Sequence, residues 1–166
     1  MDVGQGTQRS AEALSDLFPQ QTILRVDRDS TQGKQAMGAQ IERINRGQPA
    51  ILVGTQMLAK GHHFAALSLV VVLDVDQGLY SPDFRSAEKT LQLLTQVAGR
   101  AGRSDTLGRV LIQTHLPDHP LLINWQQHSY QGVKATLMAE RELYSLPPIT
   151  HMAILRADST KPQQAM

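Results

Sequence analysis

Two arginines in the segment QVAGRAGR, residues 96–103, are the first candidates for chemistry. Arg100 and Arg103 stand three residues apart, each directly after a glycine, and Gln96 lies one helical turn before Arg100. A guanidinium group is planar and can bind two phosphate oxygens at once, which a lysine ammonium cannot do. The glycines Gly99 and Gly102 allow a ligand or a facing domain to approach the backbone closely. The segment therefore predicts contact with a phosphate-rich ligand.

A second polar turn, GTQMLAKGHHF at residues 54–64, follows an apolar run. It offers a hydroxyl at Thr55, a cation at Lys60 and a glycine at Gly61. Ligands of parallel α/β sheets bind outside the carboxyl ends of the strands. Both turns therefore suit a phosphate ligand, although a purely structural role for these residues stays open. Arginines near a helix C-terminus interact favourably with the helix dipole even without a ligand. Thr55 could simply cap the end of a strand.

Other chemistries find little support. His62 and His63 are adjacent, so their side chains point in different directions, and no nearby cluster of ligands joins them. Asp74 and Asp76 form an acidic pair, but a Mg²⁺ site would normally have a phosphate-binding loop beside it. The 166 residues contain no G-x-x-x-x-G-K-[ST] loop and no nucleophile elbow. We expect no metal site in this sequence.

Composition describes an ordinary folded chain. It has 41% hydrophobic and 19% charged residues, which suits one domain, or one domain with part of another. The 16 basic residues nearly balance the 15 acidic ones, so nucleic-acid contacts would depend on local placement. There are no cysteines, no secretory signal and no apolar run that could cross a membrane. The prediction is a soluble, cytoplasmic protein without membrane association.

Four apolar runs predict buried strands, at residues 23–27, 50–55, 67–76 and 109–115. The third run carries three consecutive valines and is apolar on both faces, as a central parallel strand would be. Apolar residues at helical spacing predict two helices, a first before the run at 23–27 and a second between the runs at 23–27 and 50–55. Ser81 with Pro82 predicts the start of a third helix, which leads to Arg100. The apolar residues are Ala11, Leu14, Leu17 and Phe18 in the first helix and Met37, Ile41 and Ile44 in the second. Strands that alternate with helices indicate an α/β fold with a parallel sheet flanked by helices.

Beyond residue 116 the pattern changes. A long helix is predicted from near Asp118 and Pro120 to the prolines at 147 and 148, and a new strand at 150–158. We therefore divide the chain into a lobe at residues 1–116, a helical extension and linker at 117–148, and the start of a second, truncated domain at 149–166.

Two of the motifs are similar to those of a known enzyme class. Residues 96–103 resemble motif VI of superfamily-two helicases, and residues 55–61, with His63, resemble motif V. The segments GTQMLAKGHHF, LDVDQGLYSPDFRSAEK and LPPITHMAILRAD together resemble the PriA family of primosomal replication-restart helicases. The resemblance runs almost from end to end of the chain.

The resemblance implies the RecA-like second motor lobe of an ATP-dependent 3′→5′ DNA helicase, which acts in restart of stalled forks and in primosome assembly. By the same resemblance, we expect the first strand of this lobe to be missing from the sequence. ATP and Mg²⁺ would be shared with a first lobe that this sequence does not contain. Zinc would be held by cysteines elsewhere in the full-length protein and not within these residues. Expected partners are forked and single-stranded DNA, single-strand-binding protein and primosome proteins, and we expect a monomer.

The resemblance also assigns roles by position. Arg100 and Arg103 match arginines that face the γ-phosphate, and Gln96 matches a residue that senses the nucleotide. His63 stands where many relatives carry an acidic residue, so a carboxylate contact is not implied there. Further positions on the nucleotide side are Gly61, His63 and Gly99, and positions on the DNA side are Thr7, Thr55 and Lys60.

Two alternatives stay open. One is a non-enzymatic α/β module whose arginines bind DNA phosphates, and the other is a different superfamily-two translocase. The missing phosphate loop favours the binding module if the chain is complete, whereas the unpartnered strand predicted at 150–158 argues that it is not. On the helicase hypothesis, we expect the isolated chain to be inactive.

Overall fold

The computed structural model describes residues 3–26, 38, 41–42, 44–55, 58, 67–101 and 108–153, with the backbone alone at residues 3–5. Four parallel-paired strands and four helices account for most of this part of the chain. In chain order they are α1 (Val3–Leu17), β1 (Thr22–Val26), β2 (Ala50–Gly54), β3 (Leu69–Val72), α2 (Asp76–Leu79), α3 (Ser86–Ala101), β4 (Arg109–Ile112) and α4 (Pro120–Leu143).

The first unit consists of β1, β2 and α1. The two strands are parallel, with Thr22 opposite Ala50 and Val26 opposite Gly54. Helix α1 packs against both strands, and Leu24 and Val26 are buried. Of the helix predicted around Ile41 and Ile44, residues 38, 41, 42, 44 and 45 are helical.

The second unit consists of β3, β4, α2, α3 and α4. Strands β3 and β4 are parallel, with Leu69 opposite Arg109 and Val72 opposite Ile112. Helix α3 packs on both strands and also on α4. One buried cluster joins these elements. The predicted α/β class, with parallel strands flanked by helices, is confirmed. The core residues are Val75, Leu91, Leu94, Leu122, Val133 and Leu137.

The predicted strand at 67–76 is wrong in length and in burial. β3 ends at Val72, because Asp74 adopts a positive φ of 51° and α2 begins at Asp76. Among the described residues β3 is hydrogen-bonded to β4 alone, and α3 covers one face of this pair. The other face is exposed in the described part of the chain, with Val71 at 50% and Leu111 at 55% exposure.

The start predicted for α3 is also wrong. The helix begins at Ser86, four residues after Pro82. Asp83 Oδ1 accepts the backbone N–H of Arg85 (3.0 Å), and its Oδ2 pairs with Lys89 Nζ (2.9 Å). Asp83 therefore accepts two N–H groups at this helix start, that of Arg85 by its carboxylate and that of Ser86 by its carbonyl oxygen, while Ser81 and Pro82 belong to the preceding turn.

The predicted long helix is a helical hairpin. α4 spans Pro120–Leu143 but breaks at Ser129, whose φ and ψ are 59° and −166°. Asn124 Nδ2 lies 3.5 Å from the carbonyl oxygen of Gly132 and 3.4 Å from Thr136 Oγ1. In a straight helix, residues 124 and 136 would be about 18 Å apart. The arms, 120–128 and 130–143, therefore fold back on each other.

The two ends of the hairpin lie close to where the sequence placed them. His119 is the N-cap, and its Nδ1 accepts the N–H of Leu121 at 3.2 Å. The helix ends at Leu143, before the prolines, which are joined by a cis peptide. Of the strand predicted at 150–158, residues 150–153 form no strand and residues 154–158 lie outside the described residues. The division of the chain into three domains stays a prediction.

Candidate functional site

Helix α3 presents three of the predicted site residues at its C-terminal end. Its apolar stripe is buried, which sets the rotation of the helix, and the opposite side carries Gln96 and Gly99, both exposed. Arg100 lies in the last turn and is partly exposed. These three residues, which are near neighbours in the sequence, therefore lie on the last part of one helix. Gly102 and Arg103 lie outside the described residues. The buried stripe is Leu91, Leu94, Val97 and Ala101.

The end of α3 is tightly packed on one side and open on the other. A Cβ built on Gly108, at the entry to β4, would overlap the carbonyl group of Ala101. A Cβ built on Gly99 would have no neighbour within 4 Å. Packing within the described chain therefore requires glycine at 108 but leaves free space at 99, beside Gln96 and Arg100.

Two of the DNA-side candidates, Thr7 and Thr55, belong to the first unit. Thr55 directly follows β2 and is partly buried, and its carbonyl oxygen accepts the N–H of Leu58 at 3.0 Å, so a turn begins there. Thr7 is a partly buried residue of α1, the helix that packs on β1 and β2. Lys60, Gly61 and His63 lie outside the described residues, as does His62.

The acidic pair after β3 is engaged within the protein. Asp76 accepts hydrogen bonds from the backbone N–H of His115 (2.8 Å) and from Thr114 Oγ1 (2.5 Å). These two donors, the backbone N–H first, lower the pKa of the Asp76 carboxyl below 3.8. Asp74 Oδ2 accepts from Gln77 Nε2 at 2.5 Å. The Asp76 carboxylate therefore joins the carboxyl ends of β3 and β4.

The described residues contain neither a metal site nor a membrane-spanning helix. In that part of the chain, no three histidine, cysteine or acidic residues come together as a metal site would require. No helix there is both long and apolar enough to span a membrane.

A polar network between α3 and α4 was missed from the sequence. Glu88 Oε2 pairs with Arg141 Nη2, and Glu88 Oε1 accepts from Tyr130 OH at 3.0 Å. Burial raises the pKa of the Tyr130 hydroxyl. Nearer the C-terminal end of α3, Trp125 Nε1 donates a hydrogen bond to Thr95 Oγ1 at 2.8 Å. The only sequence indication was that residues 88, 92 and 95 recur at helical spacing beside the apolar stripe.

Comparison with known proteins identifies the family. The profile of the helicase conserved C-terminal domain matches residues 5–105, which include both polar turns. The chain belongs to this helicase family. The helicase-lobe prediction is thereby confirmed, and α4 lies beyond the matched residues.

The chain is also similar to proteins named replication restart protein PriA, as the motifs predicted. It is 46% identical over 156 residues to the one from Haemophilus influenzae, which covers 94% of this chain and 21% of that protein. Identity is 44% over 152 residues to the one from Bacillus subtilis, with 92% and 19% covered. For Thermotoga maritima it is 32% over 158 residues, with 95% and 21% covered. The chain spans about a fifth of the length of these relatives.

Proposed function

We propose that the chain acts as the second motor lobe of an ATP-dependent 3′→5′ DNA helicase that restarts stalled replication forks and assembles primosomes. The observation that carries this proposal is the arrangement at the end of α3, where Gln96 and Arg100 flank the open space at Gly99. The similarity to replication restart proteins supports the same function.

The residues at the end of α3 suit a phosphate ligand. Gln96 is exposed and Arg100 is partly exposed, and their amide and guanidinium groups are of the kind that donate hydrogen bonds to phosphate oxygens. The space at Gly99 admits a close approach. Bound ATP with Mg²⁺ would supply the phosphoanhydride bond that is broken. Arg100, with Arg103, would stabilise charge on the γ-phosphate oxygens during phosphoryl transfer, and Gln96 would sense the nucleotide.

Other residues would link the nucleotide to DNA. Thr7, Thr55 and Lys60 would contact backbone phosphates, while Gly61 and His63 would lie on the nucleotide side of the second turn. Most nucleotide contacts, the Mg²⁺ ligands and the zinc-binding cysteines would come from parts of a longer protein. That protein would work in the cytoplasm as a monomer, on forked and single-stranded DNA, with single-strand-binding protein and primosome proteins.

Arginine replacement in a full-length helicase that carries this chain tests the proposal. Arg100→Ala or Arg103→Ala should lower ATP turnover by about 10³-fold or more, the lower range for arginine fingers. Nucleotide affinity should fall far less, because the arginines act mainly on charge that develops in the transition state. Arg→Lys should not restore turnover, since an ammonium cannot reproduce the planar fork. Steady-state ATPase assays and nucleotide titrations measure these changes.

A matched control is Arg46→Ala, which removes an exposed arginine that pairs with Glu42 on the surface. It should leave turnover unchanged. DNA affinity without nucleotide should also be unchanged in the Arg100 and Arg103 variants. Loss of DNA affinity at full turnover would contradict the proposal and would instead favour the hypothesis of an α/β nucleic-acid-binding module.

A further inference from the structure

We propose that the helical hairpin α4 is a positioning element for the motor, with Trp125 and Arg141 holding α3 at the rotation in which Gln96 and Arg100 meet the nucleotide. The inference rests on the proposed function. The hairpin lies beyond residues 5–105, so the helicase profile does not include it, yet it packs directly on the helix that ends in the candidate site.

The first support is the apolar contact between the hairpin and α3. Leu91 and Leu94 of α3 are both 0% exposed, and Val133 of the second arm is equally buried. Leu122 of the first arm and Leu137 of the second belong to the same cluster. Both arms therefore bury α3, and without them its apolar stripe would lie open to water on that side.

The second support is a row of polar contacts along one face of α3. Glu88, Gln92 and Thr95 contact Arg141, Tyr130 and Trp125 in turn. The side chains of Arg141 and Glu88 are only 15% and 27% exposed, so this ion pair is poorly screened by water. Apolar packing alone tolerates small rotations of a helix, whereas hydrogen bonds need a fixed direction. The polar row therefore sets the rotation of α3.

The contact nearest the candidate site is the one between Trp125 and Thr95. The Thr95 hydroxyl has a single hydrogen, which it donates to the carbonyl oxygen of Leu91 at 2.8 Å, so its lone pair accepts the indole N–H. Thr95 is the direct neighbour of Gln96 and lies five residues before Arg100. A misplacement of about 1 Å in a reacting group can lower a rate by about 10²-fold. Small rotations of α3 would therefore affect turnover before they affected folding.

The test uses three substitutions in a full-length helicase that carries this chain. Trp125→Phe keeps a ring but removes the indole N–H, and Thr95→Val removes the hydroxyl at nearly constant shape. Each should lower kcat for ATP by roughly tenfold to 10²-fold, while KM for ATP changes by less than about twofold. The double variant should lose no more than either single variant, because both remove the same bond. Thr95→Ser keeps the hydroxyl and should keep turnover.

Asn124→Ala is the matched control in the same hairpin. It removes hydrogen bonds that run between the two arms rather than to α3. It should lower the thermal midpoint by about as much as Trp125→Phe and leave kcat unchanged. An equal loss of kcat in Asn124→Ala would overturn the proposal, since general loosening would then explain the effect.

Three further outcomes are decisive. Full turnover in the folded Thr95→Val variant would also overturn the positioning role, and this variant serves if Trp125→Phe fails to fold. If Arg100→Ala lost turnover while Trp125→Phe and Thr95→Val kept it, only the positioning role would fail. If Arg100→Ala itself kept turnover, the proposed function would fail, whatever the hairpin variants did.

Discussion

Gly108 lies directly against the carbonyl group of Ala101, at the point where α3 has ended and β4 begins. No side chain fits between them, because a Cβ on residue 108 would overlap the carbonyl atoms. Ala101 is also almost completely buried, with 1% exposure. The last turn of α3, which carries Arg100, therefore lies in direct contact with the backbone at the entry to β4.

Gly108→Ala should destabilise the protein. The added methyl group has no space, so the last turn of α3 would have to move away from β4, which typically costs about 1–3 kcal/mol. The free energy of unfolding from urea titration measures this change. A variant with the wild-type denaturation midpoint would show that α3 and β4 do not pack this closely.

Gly99→Ala should have the opposite effect on stability. The methyl group would enter open space, and replacing glycine by alanine in a helix stabilises by up to about 1 kcal/mol. In a full-length helicase that carries this chain, ATP turnover should nevertheless fall by about tenfold or more, because the methyl group would occupy the space proposed for the ligand or facing lobe. A more stable variant with full turnover would argue against that use of the space.

The isolated 166-residue chain should hydrolyse no ATP above background. Its sequence contains no G-x-x-x-x-G-K-[ST] phosphate-binding loop, and arginines that stabilise the transition state do not hold the nucleotide by themselves. A phosphate-release assay on the purified chain, with a full-length helicase as positive control, checks this. Turnover by the chain alone would contradict a site that is shared between two lobes.

Binding of single-stranded DNA by the isolated chain should be weak and should decrease steeply with salt. Lys60 is the one cation among the predicted DNA-side residues, so Lys60→Ala should reduce the slope of log affinity against log salt by about 0.7. Lys134→Ala, on the exposed surface of the hairpin, is the control and should leave the slope unchanged. Tight binding that salt does not weaken would favour the binding-module hypothesis.

Acid should weaken the fold through Asp76. Its folded-state pKa is lowered, so the carboxylate form stabilises the fold above the unfolded pKa, and this stability is lost as pH falls through the folded pKa, below 3.8. Asp76→Asn should therefore lower the thermal midpoint near neutral pH. The difference in thermal midpoint between this variant and wild type should become smaller below about pH 4.

A second variant separates the two donors to Asp76. Thr114→Val removes only the hydroxyl that donates to Asp76. Its thermal midpoint near neutral pH should differ from wild type by less than that of Asp76→Asn, because the His115 backbone N–H makes the larger contribution to the lowered pKa of Asp76. If the thermal midpoints of Asp76→Asn and wild type differed by the same amount at pH 7 and at pH 3, the stabilising role of the carboxylate would be refuted.

Secondary structure followed from the sequence where the cause was local. Runs of β-branched and apolar residues predicted the positions of the four strands in the described part of the chain, although the run at 67–76 continues past the end of β3 at Val72. Helical spacing predicted α1, α3 and the start of α4 near Pro120. The residue types of the two polar turns predicted a phosphate ligand, because guanidinium and hydroxyl chemistry belongs to the side chains themselves.

Where the cause lay in contacts between distant residues, the sequence failed. The helix at 120–143 has a continuous helical pattern, but Asn124 meets Gly132 and Thr136 only after the chain has folded back at Ser129. The Asp76 carboxylate looked like half of an acidic pair, yet its donors come from residues 114 and 115, almost forty positions away. Such contacts leave no periodic trace in the sequence.

By itself the sequence determined the chemistry that this chain can offer, an amide and two guanidinium groups within eight consecutive residues, 96–103, since residue type and local spacing decide that. Only the tertiary structure decided how the helix is held. The closed contact at Gly108 and the bond from Trp125 to Thr95 depend on packing between segments that are separate in the chain. The space at Gly99 is open because none of the described residues packs there. Packing of this kind is a property of the folded molecule, because every contact needs two partners in place at once.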